Sequence, residues 1–184
     1  MTSELDRLED FMKTDLILSA VPELSKRAVD DPQLFNQLWV FVKRREPKLS
    51  WRSAWVLDHA TEDHSELLDP ILPEVYKELN ESGEEIDGTI RHLMKFVLRC
   101  PVLEEEGGYL IDKCMTWLMT NDIPTAIRVH SLEYLYNIYL LMPEFKNELL
   151  SVIDANMEKG CSPGLMVRLK RVRLSIEKGK RQIG

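Results

Sequence analysis

Apolar positions along this chain recur at the three-and-four spacing of a helix, and no stretch alternates as a half-buried strand does. The clearest case is QLFNQLWVFVKRR, which places Leu34, Leu38, Phe41 and Val42 on one face. Asp31-Pro32 reads as an N-cap with proline in the first turn, where no backbone N–H is needed. Glu46-Pro47 ends that helix, because the residue before proline avoids helical angles. Ser50 is then expected to cap WRSAWVLDHA. Asp69-Pro70 opens ILPEVYKEL, with Pro73 in its first turn and Ser82-Gly83 at its close. Gly88 precedes TIRHLMKFVLRC, and EEEGG reads as a loop before YLIDKCMTWLMT. Asn121-Asp122 leads through Pro124 into TAIRVHSLEYLYNIYLL. Pro143, Gly160 and Pro163-Gly164 delimit the last two helices.

The resulting order is helix, short turn, helix, repeated. The predicted pairs are 33–45 with 50–63, 69–81 with 88–100, 108–121 with 124–141, and 144–159 with 164–178. Residues 3–30 are expected to form two further helices capping the first pair. A helix pair cannot bury its apolar face alone, so stacking of pairs makes a continuous core. A discrete bundle is the rival packing. The expected organisation is one domain over 1–184, with cap helices in 1–31, stacked pairs in 32–178 and a flexible tail in 179–184.

Polar residues supply a second periodicity. Arg52, Arg91 and Arg128 each follow an acid six residues earlier: Glu46, Glu85 and Asp122. The arginines are 39 and 37 residues apart, and Arg168 follows 40 further on, with Ser162 in place of its acid. A fixed period of this size marks a repeat protein.

The dipeptides Trp51-Arg52, Ile90-Arg91, Ile127-Arg128 and Val167-Arg168, each beginning a second helix, resemble the V-R step of HEAT repeats. NDIPTAIR is the cleanest match, and the resemblance covers roughly residues 32–178. Trp51 is large for its position, and the fourth repeat lacks the acid. The resemblance implies an all-α, right-handed α-α superhelix of about four helix pairs. It also implies that second helices line a concave, partner-binding face. The acid–arginine pairs Glu46–Arg52, Glu85–Arg91 and Asp122–Arg128 would then form a structural ladder between repeats. An arginine fork suits a carboxylate bidentately and also reaches turn carbonyls.

Composition narrows the function classes. The formal net charge of the 184 residues is -7, which argues against a general nucleic-acid binder, whose affinity rests on phosphate contacts. Charge is uneven: residues 58–106 are acid-rich, whereas Arg168, Lys170, Arg171, Arg173, Lys178, Lys180 and Arg181 face only Glu177 in the last stretch. Leu165, Leu169, Val172 and Ile176 give that helix an apolar face for docking on the preceding repeat. Cys100, Cys114 and Cys161 form no C-x-x-C pair, which fits free thiols in a reducing compartment. The N-terminal residues do not read as a signal peptide, and the apolar stretch 134–142 is too short to span a bilayer. The expected location is cytoplasmic.

Candidate chemistry concentrates on one helix. Trp51, Arg52, Trp55, Asp58 and His59 crowd together, and Arg91, Lys95 and Arg99 align at spacing four on the next second helix. Trp and Arg dominate interface energetics, so a binding surface is expected one or two turns beyond the ladder, at Trp55, His59, Lys95 and Arg99. The competing reading packs the tryptophans in the core and solvates the basic stripe. His59, Asp63 and His64 lack the convergent spacing of a metal site, and His92 and His130 read as isolated. No phosphate loop, nucleophile elbow, H-E-x-x-H helix or dinucleotide fingerprint is present. The sequence therefore predicts a non-catalytic protein-interaction scaffold, without cofactor or metal, monomeric or weakly oligomeric. The alternative is a nucleic-acid enzyme resembling HEAT-like DNA glycosylases, for which Arg52, Trp55 and Asp58 would suit a groove.

Overall fold

A computed structural model describes residues 4–83, 88–102 and 104–179. The described residues form ten α-helices, joined by turns and two short 3-10 segments, and contain no strand. In chain order the helices are α1 (Glu4–Lys13), α2 (Ile17–Asp30), α3 (Pro32–Lys43), α4 (Pro47–Ala60), α5 (Leu72–Asn80), α6 (Gly88–Arg99), α7 (Glu104–Met119), α8 (Thr125–Leu141), α9 (Lys146–Lys159) and α10 (Pro163–Glu177). All four predicted pairs are present: α3 packs on α4, α5 on α6, α7 on α8 and α9 on α10. The chain divides into two compact units, residues 1–101 and 102–184.

In the first unit, α4 is the central element and packs against α1, α2, α3 and α6. Its small residues allow this. Ser50, Ser53, Ala54 and Ala60 are buried beside Leu49, Val56 and Leu57, so neighbouring helices approach without large side chains between them. Facing them are Leu38, Phe41 and Val42 from α3, Ile17 and Val21 from α2, and Leu93, Phe96 and Val97 from α6. Each such Leu, Val or Phe contributes about 1.5–3 kcal/mol on leaving water. Asp31 is the expected N-cap, its carboxylate accepting from the backbone N–H of Gln33 and Leu34 at 3.0 and 3.1 Å.

Two turns differ from the sequence reading. Ser50 is not a cap: α4 begins at Pro47, whose missing N–H costs nothing there. The buried Ser50 hydroxyl instead donates to Phe41 O at 3.0 Å, tying α4 to α3. Asp69-Pro70 does not open α5 either. A 3-10 segment occupies Ser65–Leu68, and α5 starts at Leu72 with Pro73 in its first turn.

The second unit buries Leu110, Cys114 and Leu118 of α7 against Ile127, Leu132 and Leu135 of α8. Leu165, Leu169, Val172 and Ile176 of α10 are all buried, which is the docking face read from sequence. EEEGG is helical rather than a loop, since α7 runs from Glu104 through both glycines. Packing makes Gly107 necessary. A Cβ there would lie 2.8 Å from Val102 Cγ1 and 3.0 Å from the Tyr134 hydroxyl. Burial pushes the Cys114 thiol up to about 12, so it acts as a small apolar residue. The three cysteines are free thiols.

Candidate interaction surface

The seam between α4 and α6 brings Asp58 of α4 together with Lys95 and Arg99 of α6. The two helices pack side by side and run parallel. A Cβ at Gly88, the first residue of α6, would lie 3.3 Å from Trp51 Cβ. Two turns further, Lys95 of α6 reaches Asp58 of α4. Both pairs are separated by 37 residues, so the helices are aligned residue for residue.

Trp51, Trp55 and His59 stand at i, i+4 and i+8 on α4 and form a ladder of rings. Trp51 and Trp55 stack with centroids 5.9 Å apart, and His59 tilts against Trp55 at 6.0 Å. Both tryptophans are half-buried and His59 is exposed. The core reading of these tryptophans is therefore only half correct, since part of each indole faces solvent.

Asp58 is 3% exposed. Three side chains of α6 converge on it, from positions i, i+3 and i+7 of one helical face. His92 Nδ1 lies 2.9 Å from Oδ2, and Lys95 Nζ binds the same oxygen. Arg99 Nη2 lies 2.6 Å from Oδ1 as an ion pair, while its Nη1 donates to Asp58 O at 3.2 Å and Thr61 Oγ1 at 3.1 Å. An ionised carboxylate only accepts, so Nδ1 is the nitrogen of His92 that carries a proton. Burial alone pushes the Asp58 carboxyl up. Hydrogen bonds from His92 and Lys95, with the charges of Arg99 and His92, outweigh burial and hold it well below the usual carboxylate range.

Of the four expected binding residues, Trp55 and His59 are in the ring ladder, while Lys95 and Arg99 lie on Asp58. Arg99 is largely withdrawn, its side chain 17% exposed, whereas Lys95 remains 32% exposed. Arg91 is exposed and pairs with no acid among the described residues. Sequence reasoning took His92 to be isolated and missed its pairing with Asp58. The signal was available in the 37-residue step from Asp58 to Lys95.

The ladder is corrected in its partners. Arg52 does not pair with Glu46. Its Nη1 donates to Met12 O at 3.1 Å and Thr14 O at 2.8 Å, and Nη2 meets Asp15 Oδ1 at 2.6 Å. Glu46 is instead held by Lys13 at 3.1 Å and Arg44 at 3.8 Å. Glu46 is the N-cap residue, in extended backbone outside α4, whereas Arg52 projects from the second turn of that helix toward the Met12 and Thr14 carbonyls. Arg128 likewise leaves Asp122, which is exposed. Its Nε donates to Leu118 O at 3.2 Å and its Nη2 to Asn156 Oδ1 at 2.8 Å. Glu85 lies outside the described residues, so the Glu85–Arg91 pairing is not described. Among the described residues no group of His, Cys, Asp and Glu is arranged to hold a metal ion, and no helix is long and apolar enough to cross a membrane.

All-α pairs, aligned neighbours and a period near 37 residues define a helical-repeat protein. Residues 6–176 match the family model of the HEAT repeat domain, and the chain belongs to that family. No curated protein and no solved structure shows a match to the chain.

Proposed function

We propose that the chain is a non-catalytic protein-interaction scaffold that binds its partner on the face of α4 and α6. HEAT repeats generally mediate protein–protein interactions, and their second helices line the binding face of extended repeat arrays. One observation carries the choice of face. The half-exposed Trp51–Trp55 stack shares α4 with Asp58, on which the Lys95 and Arg99 cations of α6 converge, and Trp and Arg side chains dominate interface energetics. The test is affinity capture from native extract, followed by reconstitution with the purified captured protein. A folded Trp55→Ala, Arg91→Ala, Lys95→Ala variant should lose the partner. Unchanged binding by that variant sinks this surface.

The nucleic-acid enzyme reading draws on the same rings, because bases stack on exposed indoles. Asp58 weighs against it. A carboxylate held by three neighbours and shifted to low pKa is a poor general base near neutrality. Salt-dependent binding of duplex DNA at low ionic strength would favour the enzyme reading, and no binding there dismisses it.

A further inference from the structure

We infer that the α4–α6 seam takes a short acidic peptide segment of a protein partner, with its carboxylates on Arg91 and Lys95 and an apolar side chain on the Trp51–Trp55 rings. The inference rests on the interaction-surface reading above and adds the chemistry of the occupant.

Charge supplies the first argument. Lys95 and Arg99 meet Asp58 in the seam and Arg91 is exposed one turn earlier on α6; among the described residues Asp58 is the only acid paired with these cations. The first acid after the end of α4, Glu62, is 3.6 Å from His59. Among the described residues of the α4–α6 seam this leaves a local excess of positive charge, in a chain of net charge -7.

Arrangement supplies the second. Asp58 has more partners than its charge requires. Of the three groups on it, Lys95 is the most exposed, at 32% against 17% for Arg99 and 11% for His92. Lys95 can turn to an incoming carboxylate while Arg99 and His92 keep Asp58 compensated. Arg91 lies one turn before Lys95 on the same helix and is exposed. On α4, the stacked indoles offer apolar surface already held in place, so little side-chain entropy is lost on binding.

The overall balance favours a short acidic peptide over a nucleic-acid strand. A long polyanion meets the repulsion of a net negative protein, and Glu62, Asp63 and Glu66 stand just beyond the C-terminal end of the seam. A segment with few carboxylates engages Arg91 and Lys95 without reaching those acids.

The experiment titrates the full chain with four probes, following tryptophan fluorescence and calorimetric heat. The probes are a glutamate-rich peptide with a central tyrosine, its glutamine and lysine counterparts, and oligothymidylate. The expected result is binding of the glutamate peptide alone, weakened by added salt. Lys95→Gln should weaken it roughly threefold or more, and Arg91→Gln with Lys95→Gln about tenfold. Trp55→Phe with unchanged unfolding temperature separates loss of surface from loss of fold. Binding of the glutamine or lysine peptide in preference, still dependent on Trp55, overturns the acidic occupant and leaves the interaction surface standing. Oligothymidylate binding without peptide binding overturns both. Glutamate-peptide binding unaffected by Arg91→Gln, Lys95→Gln and Trp55→Phe overturns this site, and absence of binding by all four probes overturns the acidic occupant.

Discussion

Asp15 and Arg52 lie 37 residues apart and meet at 2.6 Å across the turn between α1 and α2. The same separation recurs between Asp58 and Lys95, Met119 and Asn156, and Thr125 and Ser162, each pair joined by a side-chain hydrogen bond. The period seen in the arginines is therefore physical, but it is read from one repeat to the next. Arg52 reaches back to the preceding turn and satisfies two of its carbonyls, which is a task suited to a fixed fork of donors.

Replacing Arg52 by Met should destabilise the first unit by about 2 kcal/mol or more, because Met12 O and Thr14 O lose their donor. Arg52→Lys should recover only part of this, since an ammonium cannot span both carbonyls and Asp15. Glu46→Gln should change stability by no more than about 0.5 kcal/mol, as expected of a surface site. Urea unfolding of the three variants checks the assignment. A Glu46→Gln cost equal to that of Arg52→Met would restore the pairing within the repeat.

Asp58 ties stability to acid pH. Its folded-state pKa is depressed, so its contribution is fully present above the unfolded carboxyl value of about 3.9 and is lost as pH falls towards the folded value. Stability from this group should stay level from pH 8 to 5 and decline below about 4. Asp58→Asn should abolish that part of the slope. At pH 7 it should cost near the lower end of the about 3–5 kcal/mol for breaking a buried pair, because Lys95 can turn to solvent. Thermal melts of both proteins across pH 3–7 provide the check.

Ser50 offers a test of a cap against a buried tie. An N-cap serine tolerates aspartate at little cost. Here the hydroxyl donates to Phe41 O in a dry seam, so Ser50→Asp should cost about 2 kcal/mol or more through an unpaired buried carboxylate. Ser50→Ala should cost about 1 kcal/mol for the lost bond. Equal stability of the aspartate variant and the wild type, measured by urea unfolding, would return Ser50 to the role of a cap.

The helices and their pairing were legible because both depend on local signals: apolar phase, proline near helix starts, and glycine after helix ends. Asp31, Pro73 and the buried face of α10 behave as their spacing indicates. Long-range partners were not legible. Glu46 is six positions from Arg52 and looks available, while Asp15 is far away in sequence and becomes a neighbour only when α1 packs on α4. The same limit hid the Asp58 cluster. His92, Lys95 and Arg99 share a face by spacing alone, but the acid they serve belongs to another helix.

Gly107 and Gly108 show where local propensity misleads, and they give the most direct test of packing in the second unit. Two adjacent glycines weaken a helix by about 1 kcal/mol each relative to alanine, so a loop was the natural reading of EEEGG. Gly107 is retained in α7 because there is no room for a Cβ between Val102 Cγ1 and the Tyr134 hydroxyl. Tyr134 is itself fully buried and donates to Gly107 O at 3.3 Å, so its hydroxyl cannot retreat without losing that bond. Gly107→Ala should therefore destabilise by about 1–3 kcal/mol despite the gain in helix propensity. Gly108 faces open space, with nothing within 4 Å of a built Cβ. Gly108→Ala should stabilise the protein by about 0.5–1 kcal/mol. Adding Tyr134→Phe to Gly107→Ala should recover part of the loss by removing the oxygen that the new methyl meets. Urea unfolding of the four proteins measures each step, and equal effects of the two alanine substitutions would refute the close approach of α7 to Tyr134.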